Sequence, residues 1–153
     1  MRNISDIIEQ YLKEVLDVSD QDIVEIKRSE IAHKFQCVPS QINYVINTRF
    51  TVERGYVVES KRGGGGFIRI IKVQSNDYLD LFNQVLAMVN ERVSQSTAES
   101  LIIRLVEEEF ITKREAKVML SVIDNSVLNV DPHHRDQLRA RMLKAMLLAL
   151  QHR

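Results

Sequence analysis

The sequence predicts a mainly α-helical protein with a small β-wing, in which an N-terminal winged helix-turn-helix domain precedes a C-terminal helical bundle that serves dimerisation. Three observations favour this class. Apolar residues recur at helical spacing near both ends of the chain, strand-like segments are confined to residues 23–26 and the two sides of a glycine run at 63–66, and no glycine follows Gly66. The 153 residues, 44% hydrophobic and 27% charged, can bury one substantial core or two small ones.

The first helix is predicted to begin after Asn3, whose side chain can cap it, with Asp6 three residues further on. Its apolar residues predict one core-facing stripe, made of Ile4, Ile7, Ile8, Tyr11, Leu12, Val15 and Leu16. The segment at 23–26, IVEI, is too short for a helix and rich in β-branched residues. It is therefore predicted to be a short strand.

Two short helices joined by a break at QCVP are predicted next, the first capped by Ser29 and the second beginning near Ser40. The side chains expected to face inward are Ile31, Ala32 and Phe35 from the first helix and Ile42, Val45 and Ile46 from the second. Such a pair is a helix-turn-helix candidate, although helical hairpins without DNA-reading functions are more common. The outer face of the second helix carries the amides and cations that read base edges, namely Ser40, Gln41, Asn43, Tyr44, Asn47 and Arg49.

The segment RGYVVESKRGGGGFIRIIKV predicts a two-stranded hairpin around the glycine run. A tight turn needs positive φ at only one or two residues, so four glycines exceed its demand. A phosphate-binding loop would place spaced glycines before a Lys-Ser or Lys-Thr pair at a helix start, whereas here a strand follows the run. We favour a wing tip that enters a narrow DNA groove, with Lys61 and Arg62 supplying charge.

Charge is segregated along the chain even though the formal net charge is zero. Residues 1–26 contain two cations and seven anions, a net −5, whereas residues 27–72 contain nine cations and three anions, a net +6. Phosphate contacts require a local basic block rather than a basic chain. Lys27, Arg28 and Arg49 are expected to hold phosphates or base edges.

The C-terminal part is predicted to contain four helices, at residues 77–93, 97–109, 113–125 and 132–151. Their predicted starts are marked by Ser96 with Glu99, by Thr112 with Glu115, and by Asp131 ahead of Pro132. We therefore expect a winged helix-turn-helix domain at 1–73 and a four-helix dimerisation and regulatory domain at 74–153. Because so few residues form a core only marginally, self-association is a natural hypothesis, with a monomeric bundle as the alternative.

Other classes of function have weak support. No nucleophile, base and orienting acid can be placed together, so we expect no enzyme, and no cofactor is expected. His133 and His134 are adjacent and would diverge on a helix, which disfavours a metal site. The acidic run at 107–109 is typical of a solvated helix end, and Cys37 of a small buried hydrophobe. With one cysteine and no apolar run long enough to span a bilayer, a cytoplasmic location is expected.

Four segments resemble the CtsR family of stress-gene repressors of low-GC Gram-positive bacteria: MRNISDIIEQYLK, DIVEIKRSEIAHKFQCVPSQINYVINTRFT, RGYVVESKRGGGGFIRI and REAKVMLSVID. The Arg-Gly-Gly-Gly-Gly wing is the most specific of these features. The resemblance implies a dimeric repressor that binds tandem direct repeats upstream of Clp protease and chaperone genes and releases them on heat shock. It also implies that the wing senses temperature, with Arg62 and Gly64 as regulatory positions, and that a protein-arginine kinase and the Clp machinery act on the protein.

The predicted DNA-binding residues are Lys27, Arg28, Ser40, Gln41, Asn43, Asn47, Arg49, Lys61, Arg62, Gly63, Gly64, Gly65 and Gly66. Ser40, Gln41, Asn43 and Asn47 are expected in the major groove, and Arg62 with the glycine tip in the minor groove. The rival hypothesis is a helical adaptor of the Clp system whose winged domain binds protein. The adaptor would show little salt-sensitive binding to DNA.

Overall fold

The computed structural model describes residues 3–61, 66–74 and 77–151, and the chain divides into two compact units, Met1–Gln74 and Ser75–Arg153. The order of elements confirms the predicted class, in which helices predominate and the only sheet within these residues is small. No helix of the described part is both long and apolar enough to cross a membrane.

Within its described residues the first unit contains three helices and three strands, and it ends in a hairpin. Its elements are α1 (Ile4–Val18), β1 (Ile23–Ile26), α2 (Arg28–Lys34), α3 (Pro39–Arg49), β2 (Tyr56–Lys61) and β3 (Phe67–Lys72). The strands form an antiparallel sheet in the order β1-β3-β2, so β3 pairs on both sides. Arg69 of β3 faces Glu25 of β1 and Glu59 of β2, and its guanidinium lies 2.7 Å and 3.6 Å from their carboxylates. This pairing anchors the wing hairpin to the body of the domain.

The core of this unit is built by the apolar faces predicted for α1 and α3. Ile8, Leu12 and Leu16 of α1 are fully buried with Ile42 and Val45 of α3. The first turn of α1 departs from the predicted stripe, because Ile4 and Ile7 are 36% and 42% exposed. Asn3 caps α1 as predicted, with its side chain accepting from the amide of Asp6 at 2.9 Å.

The predicted cap at Ser29 is wrong. The chain passes from β1 directly into α2, which begins at Arg28 and has Lys27 at its N-cap without a side-chain hydrogen bond. The helix therefore starts before Ser29, which is an exposed residue of its first turn and not its N-cap. The second helix of the pair begins at Pro39, a residue that suits the first helical position because it has no N–H to lose.

The second unit contains the four predicted helices with different ends: α4 (Tyr78–Met88), α5 (Gln95–Glu107), α6 (Lys113–Ile123) and α7 (Pro132–Gln151). The helix predicted to reach residue 93 ends at Met88, because Val89 and Val93 turn into the core and the amide of Val93 donates to the Asp136 carbonyl of α7. Ser94, and not Ser96, caps α5 by accepting from Thr97 at 3.2 Å.

Two other predicted starts in this unit are confirmed. The side chain of Thr112 accepts from the amide of Glu115, and the Glu115 carboxylate accepts from the amide of Thr112, which together form a complete capping box. Asp131 precedes Pro132 and accepts from the amide of His133 at 3.0 Å. Local sequence signals therefore set both of these boundaries.

Among the described residues of the second unit, Arg104 and Arg139 are buried, which was not predicted from the sequence. Arg139 of α7 is fully buried and donates to the carbonyls of Ile123 and Val93, at 2.8 Å and 3.0 Å, and to the side chains of Asp136 and Asn125. Arg104 of α5 is 2% exposed, donates to Gln84 at 2.5 Å and lies 3.3 Å from Glu108. Arg139 thus ties α7 to the end of α6 and to the loop before α5.

Candidate DNA-binding surface

The outer face of α3 presents a polar ridge formed by Ser40, Tyr44 and Asn47. These residues are spaced four and three apart, so they lie one above another on the helix. All three are exposed, Tyr44 by 54%, whereas Ile42, Val45 and Ile46 on the opposite face are buried. A hydroxyl, a phenol and an amide on an exposed helix are groups that can donate to and accept from base edges in a major groove. We call this set the exposed ridge.

Two predicted base readers on the sides of α3 are held by neighbouring helices. Gln41 is half-buried, and its amide donates to the hydroxyl of Ser5 on α1 at 2.7 Å. Asn43 is also half-buried, and its side-chain oxygen accepts from the Nε of Arg28 on α2. Each of these side chains can therefore meet DNA only with the polar groups that these bonds leave unused.

Arg49, predicted to hold DNA, lies on the side of α3 that packs against α1. It follows Ile42 by seven residues, or two helical turns, so it shares the buried face. Its Nη1 donates to Asp6 at 2.9 Å and to Glu9 at 2.6 Å. The hydrogen bond to Asp6 raises the pKa of Arg49 above its ordinary value despite partial burial, with a further contribution from Glu9. A direct DNA contact by Arg49 stays a prediction, and it competes with this ion pair.

Glu9 joins three cations at the edge of this interface. It lies 2.7 Å from Lys13, 2.6 Å from Arg49 and 4.0 Å from Arg54. Burial of the Glu9 carboxyl opposes ionisation, but hydrogen bonds and charges from Lys13 and Arg49 outweigh it and lower its pKa below the usual range. The carboxylate is therefore firmly ionised near neutral pH.

The wing carries exposed basic charge on its described part. Lys61 at the end of β2 is exposed, and its ammonium lies 5.4 Å from the centre of the Phe67 ring. Gly66, which begins the return strand, has a φ of +48°, a left-handed conformation that favours glycine. Arg62, Gly63, Gly64 and Gly65 lie outside the described residues, so their predicted roles stay predictions.

Lys27 is exposed at the start of α2, next to Arg28. Cys37 is a free cysteine that packs against the core of the first unit, as expected of a small hydrophobe. Within the described ranges, no three His, Cys, Asp or Glu side chains cluster in a way that could hold a metal ion.

Sequence reasoning missed the polar edge of α1, formed by Ser5, Asp6 and Glu9. Ser5 is buried although it is polar, and Asp6 and Glu9 carry the charge that meets Arg49. One signal was available: the seven-residue spacing between Ile42 and Arg49 places that cation on the apolar face, where it needs a partner.

Comparison with known proteins covers both units. Residues 3–74 match the family described as "CtsR N-terminal HTH domain", and residues 77–148 match "CtsR C-terminal dimerization domain". The chain is 68% identical over 153 residues to the transcriptional regulator CtsR of Geobacillus stearothermophilus, covering 100% of both chains. It is 64% identical to the transcriptional regulator CtsR of Bacillus subtilis, covering 97% of this chain and 96% of that one.

A solved structure described as CtsR in complex with a 26-base-pair DNA duplex has the same fold. Its TM-score to this chain is 0.88 at 68% sequence identity, with 99% of this chain and 100% of that chain covered.

Proposed function

The chain belongs to the CtsR family of transcriptional regulators, and from this premise we propose that it is a repressor that binds operator DNA sequence-specifically as a homodimer. Its relatives are named transcriptional regulators, and this chain likewise acts as a regulator and not as an enzyme. The operator DNA that it would bind is double-stranded, and its place of action would be the bacterial cytoplasm.

The exposed ridge of α3 is the observation that carries this proposal. Its three polar side chains face outward from a helix whose opposite face is buried, so the ridge is available to a partner. Helices of helix-turn-helix proteins read bases in the major groove with such outward residues. The similar protein solved with a DNA duplex supports DNA as the partner.

Cations around the ridge would supply most of the affinity. Lys27 and Lys61 are exposed on the same unit, and Arg62 follows Lys61 in the sequence. Phosphate contacts position a protein on DNA without specifying a sequence, whereas base contacts specify it. We propose that the lysines hold phosphates, and that Arg62 with Gly63, Gly64, Gly65 and Gly66 occupies the minor groove, whose negative potential attracts arginine.

The homodimer would form through the second unit, at the end of α7. No residue from 145 to 151 is charged, and Leu148 is 48% exposed beside the buried Leu147. Val118 of α6 is 59% exposed, and it lines a groove with Met119, Met146 and Leu150. A helix end that is apolar on all sides is normally buried. Because this unit matches a dimerisation domain, we propose that a second copy covers the face.

We further propose that the protein releases its operator DNA on heating, and that this release depends on the glycine run at residues 63–66. Ordering a glycine-rich wing on DNA costs of order 1–2 kcal/mol per residue, and this entropic penalty grows with temperature. Binding should therefore weaken on warming before the fold melts. The family resemblance adds tandem direct repeats near Clp protease and chaperone genes as the operators.

From the family resemblance we propose two further partners, a protein-arginine kinase and the Clp machinery. Phosphorylation of Arg62 would replace a cation with an anion, and a negative group at the minor groove would repel DNA. The modification would thus release the operator without heating.

Fluorescence anisotropy of a labelled duplex with a tandem direct repeat, against a scrambled duplex, tests the proposed function. It should be titrated across salt and temperature, with circular dichroism on the same samples. We expect preferential, salt-sensitive binding that fades on warming while the helical signal persists. Weak binding that ignores sequence would instead favour the protein-binding adaptor.

A further inference from the structure

The polar edge of α1 holds α3 at both ends. Near the start of α3, Gln41 donates to Ser5 at 2.7 Å, and at its last residue Arg49 donates to Asp6 and Glu9 at 2.9 Å and 2.6 Å. The two attachment points are eight residues apart, which is about 12 Å along a helix at 1.5 Å per residue. Two fixed points at this separation set the direction of a helix as well as its position.

The carboxylate of Glu9 also lies close to the segment that leads into the wing. Arg54 lies in the turn between α3 and β2, and its guanidinium is 4.0 Å from the Glu9 carboxylate, which is itself only 15% exposed. Lys13, one turn further along α1, holds the carboxylate in place at 2.7 Å. Glu9 thus connects α1 to the end of α3 and to the base of the hairpin at once.

These contacts direct Arg49 away from the exposed ridge. Its side chain is 24% exposed, and both of its described hydrogen bonds use Nη1 and point to α1. An arginine that contacted a phosphate would have to share or leave these carboxylates, and leaving a partly buried carboxylate without its partner is unfavourable. Arg49 therefore links α3 to α1 within the unit.

We propose that Asp6, Glu9 and Arg49 are positioning residues that fix the exposed ridge relative to the wing, and that Arg49 acts on DNA recognition through α1 and not by touching DNA. This inference rests on the proposed function, because it concerns how the same surface is oriented. It predicts that two acids are needed for binding to a polyanion. Long-range electrostatics alone predicts the opposite, since removing negative charge near DNA strengthens binding.

The test compares wild-type protein with Asp6→Asn/Glu9→Gln, Arg49→Gln and the combination of all three. The matched control is Glu14→Gln/Asp17→Asn, which makes the same charge change at exposed positions of the same helix. Affinity for an operator duplex and for a scrambled duplex is measured by anisotropy across a salt series. Thermal melts monitored by circular dichroism identify any variant that fails to fold, and such a variant is compared at a temperature where it is folded.

We expect the acid pair variant to lose operator affinity by roughly tenfold or more, the effect of leaving a hydrogen-bonded charge without its partner. Its affinity for the scrambled duplex should hold or rise, as in the control. The triple variant should be no weaker than Arg49→Gln, because all three residues act as one unit. The salt slope of Arg49→Gln should match the wild type.

Two results would overturn the proposal. One is operator affinity that holds or rises when Asp6 and Glu9 are neutralised, as in the control. The other is a salt slope for Arg49→Gln that falls by about 0.9, the change expected for one lost phosphate contact. If the wild type itself did not prefer the operator, the proposed function would fail instead, so the two failures are distinguishable.

Discussion

Replacing Arg139 with Met should destabilise the second unit more than any surface change. Methionine keeps an unbranched apolar stem but removes the guanidinium, which is fully buried and serves four acceptors. Asp136 is 44% exposed and can be hydrated instead, so it adds little to the cost. The carbonyls of Val93 and Ile123 would lose their donor inside the protein, at about 1–3 kcal/mol each.

The expected total is about 3–5 kcal/mol, the range for removing one partner of a buried polar network. Since a small domain has a total stability of about 5–15 kcal/mol, this loss is a large share of it. Hydrogen exchange of the α6 and α7 amides along a urea series, at fixed protein concentration, measures the effect in this unit. Arg139→Lys keeps the positive charge but can make fewer hydrogen bonds, so its stability should lie between those of the wild type and Arg139→Met.

Arg141→Met is the matched control, because Arg141 is exposed on the same helix, and its effect should stay within about 0.5 kcal/mol. A loss of stability below about 1 kcal/mol for Arg139→Met would contradict this prediction, since it would mean that the unit repacks around two unpaired carbonyls at little cost.

Three further predictions concern the wing, the dimer and acid stability. Lys61→Ala should reduce the slope of log affinity against log salt by about 0.9 for operator and scrambled duplexes alike, because a phosphate contact carries no sequence information; an unchanged slope in the anisotropy series would exclude that contact. Leu148→Asp should shift the protein to monomer in sedimentation equilibrium, weakening dimerisation by roughly a hundredfold or more because a carboxylate would be buried in an apolar face. The control is Val127→Asp, at an apolar site of the same unit that is 59% exposed, against 48% for Leu148. A Leu148→Asp dimer as strong as the wild type would place the interface elsewhere. Glu9 has a lowered pKa, because its pairing with Lys13 and Arg49 outweighs burial, so this pairing stabilises the fold above the unfolded-state pKa and is lost as pH falls from about 5 downward. Glu9→Gln should show a smaller loss of melting temperature over that range, and parallel curves for the two proteins would contradict this linkage.

Features set by neighbouring residues in the chain could be predicted from the sequence. The Asn3 cap, the strand at 23–26, the hairpin around the glycines and the Thr112–Glu115 capping box each depend on side chains within a few positions of one another. The buried face of α3 followed from helical periodicity in the same way. These local signals were sufficient for the fold class.

Features set by tertiary contacts could not be predicted. Ser29 and Ser96 are good capping residues, yet the path from β1 into α2 and the position of Ser94 placed both inside helices. The end of α4 depends on Val93 meeting α7, which is over forty residues away in sequence. Burial of Arg139 has the same origin, because its acceptors come from α6 and from the loop before α5.

The candidate site likewise combines residues whose exposure could be predicted from the sequence with residues whose contacts depend on tertiary structure. Periodicity identified Ser40 and Asn47 as outward residues, and both are exposed. It did not separate them from Gln41, Asn43 and Arg49, whose side chains meet partners on α1 and α2. A helix-turn-helix sequence can thus indicate which helix reads DNA, whereas the free part of that helix depends on the helices around it.

A mutational scan of the operator determines whether the exposed ridge of α3 reads bases. Affinities of wild type and Asn47→Ala are measured for every single-base variant of one operator half-site. We expect the wild type to discriminate at several positions, and Asn47→Ala to lose about 1–3 kcal/mol of discrimination at one position while the others persist. An unchanged profile, or a uniform loss at all positions, would contradict base reading by this ridge.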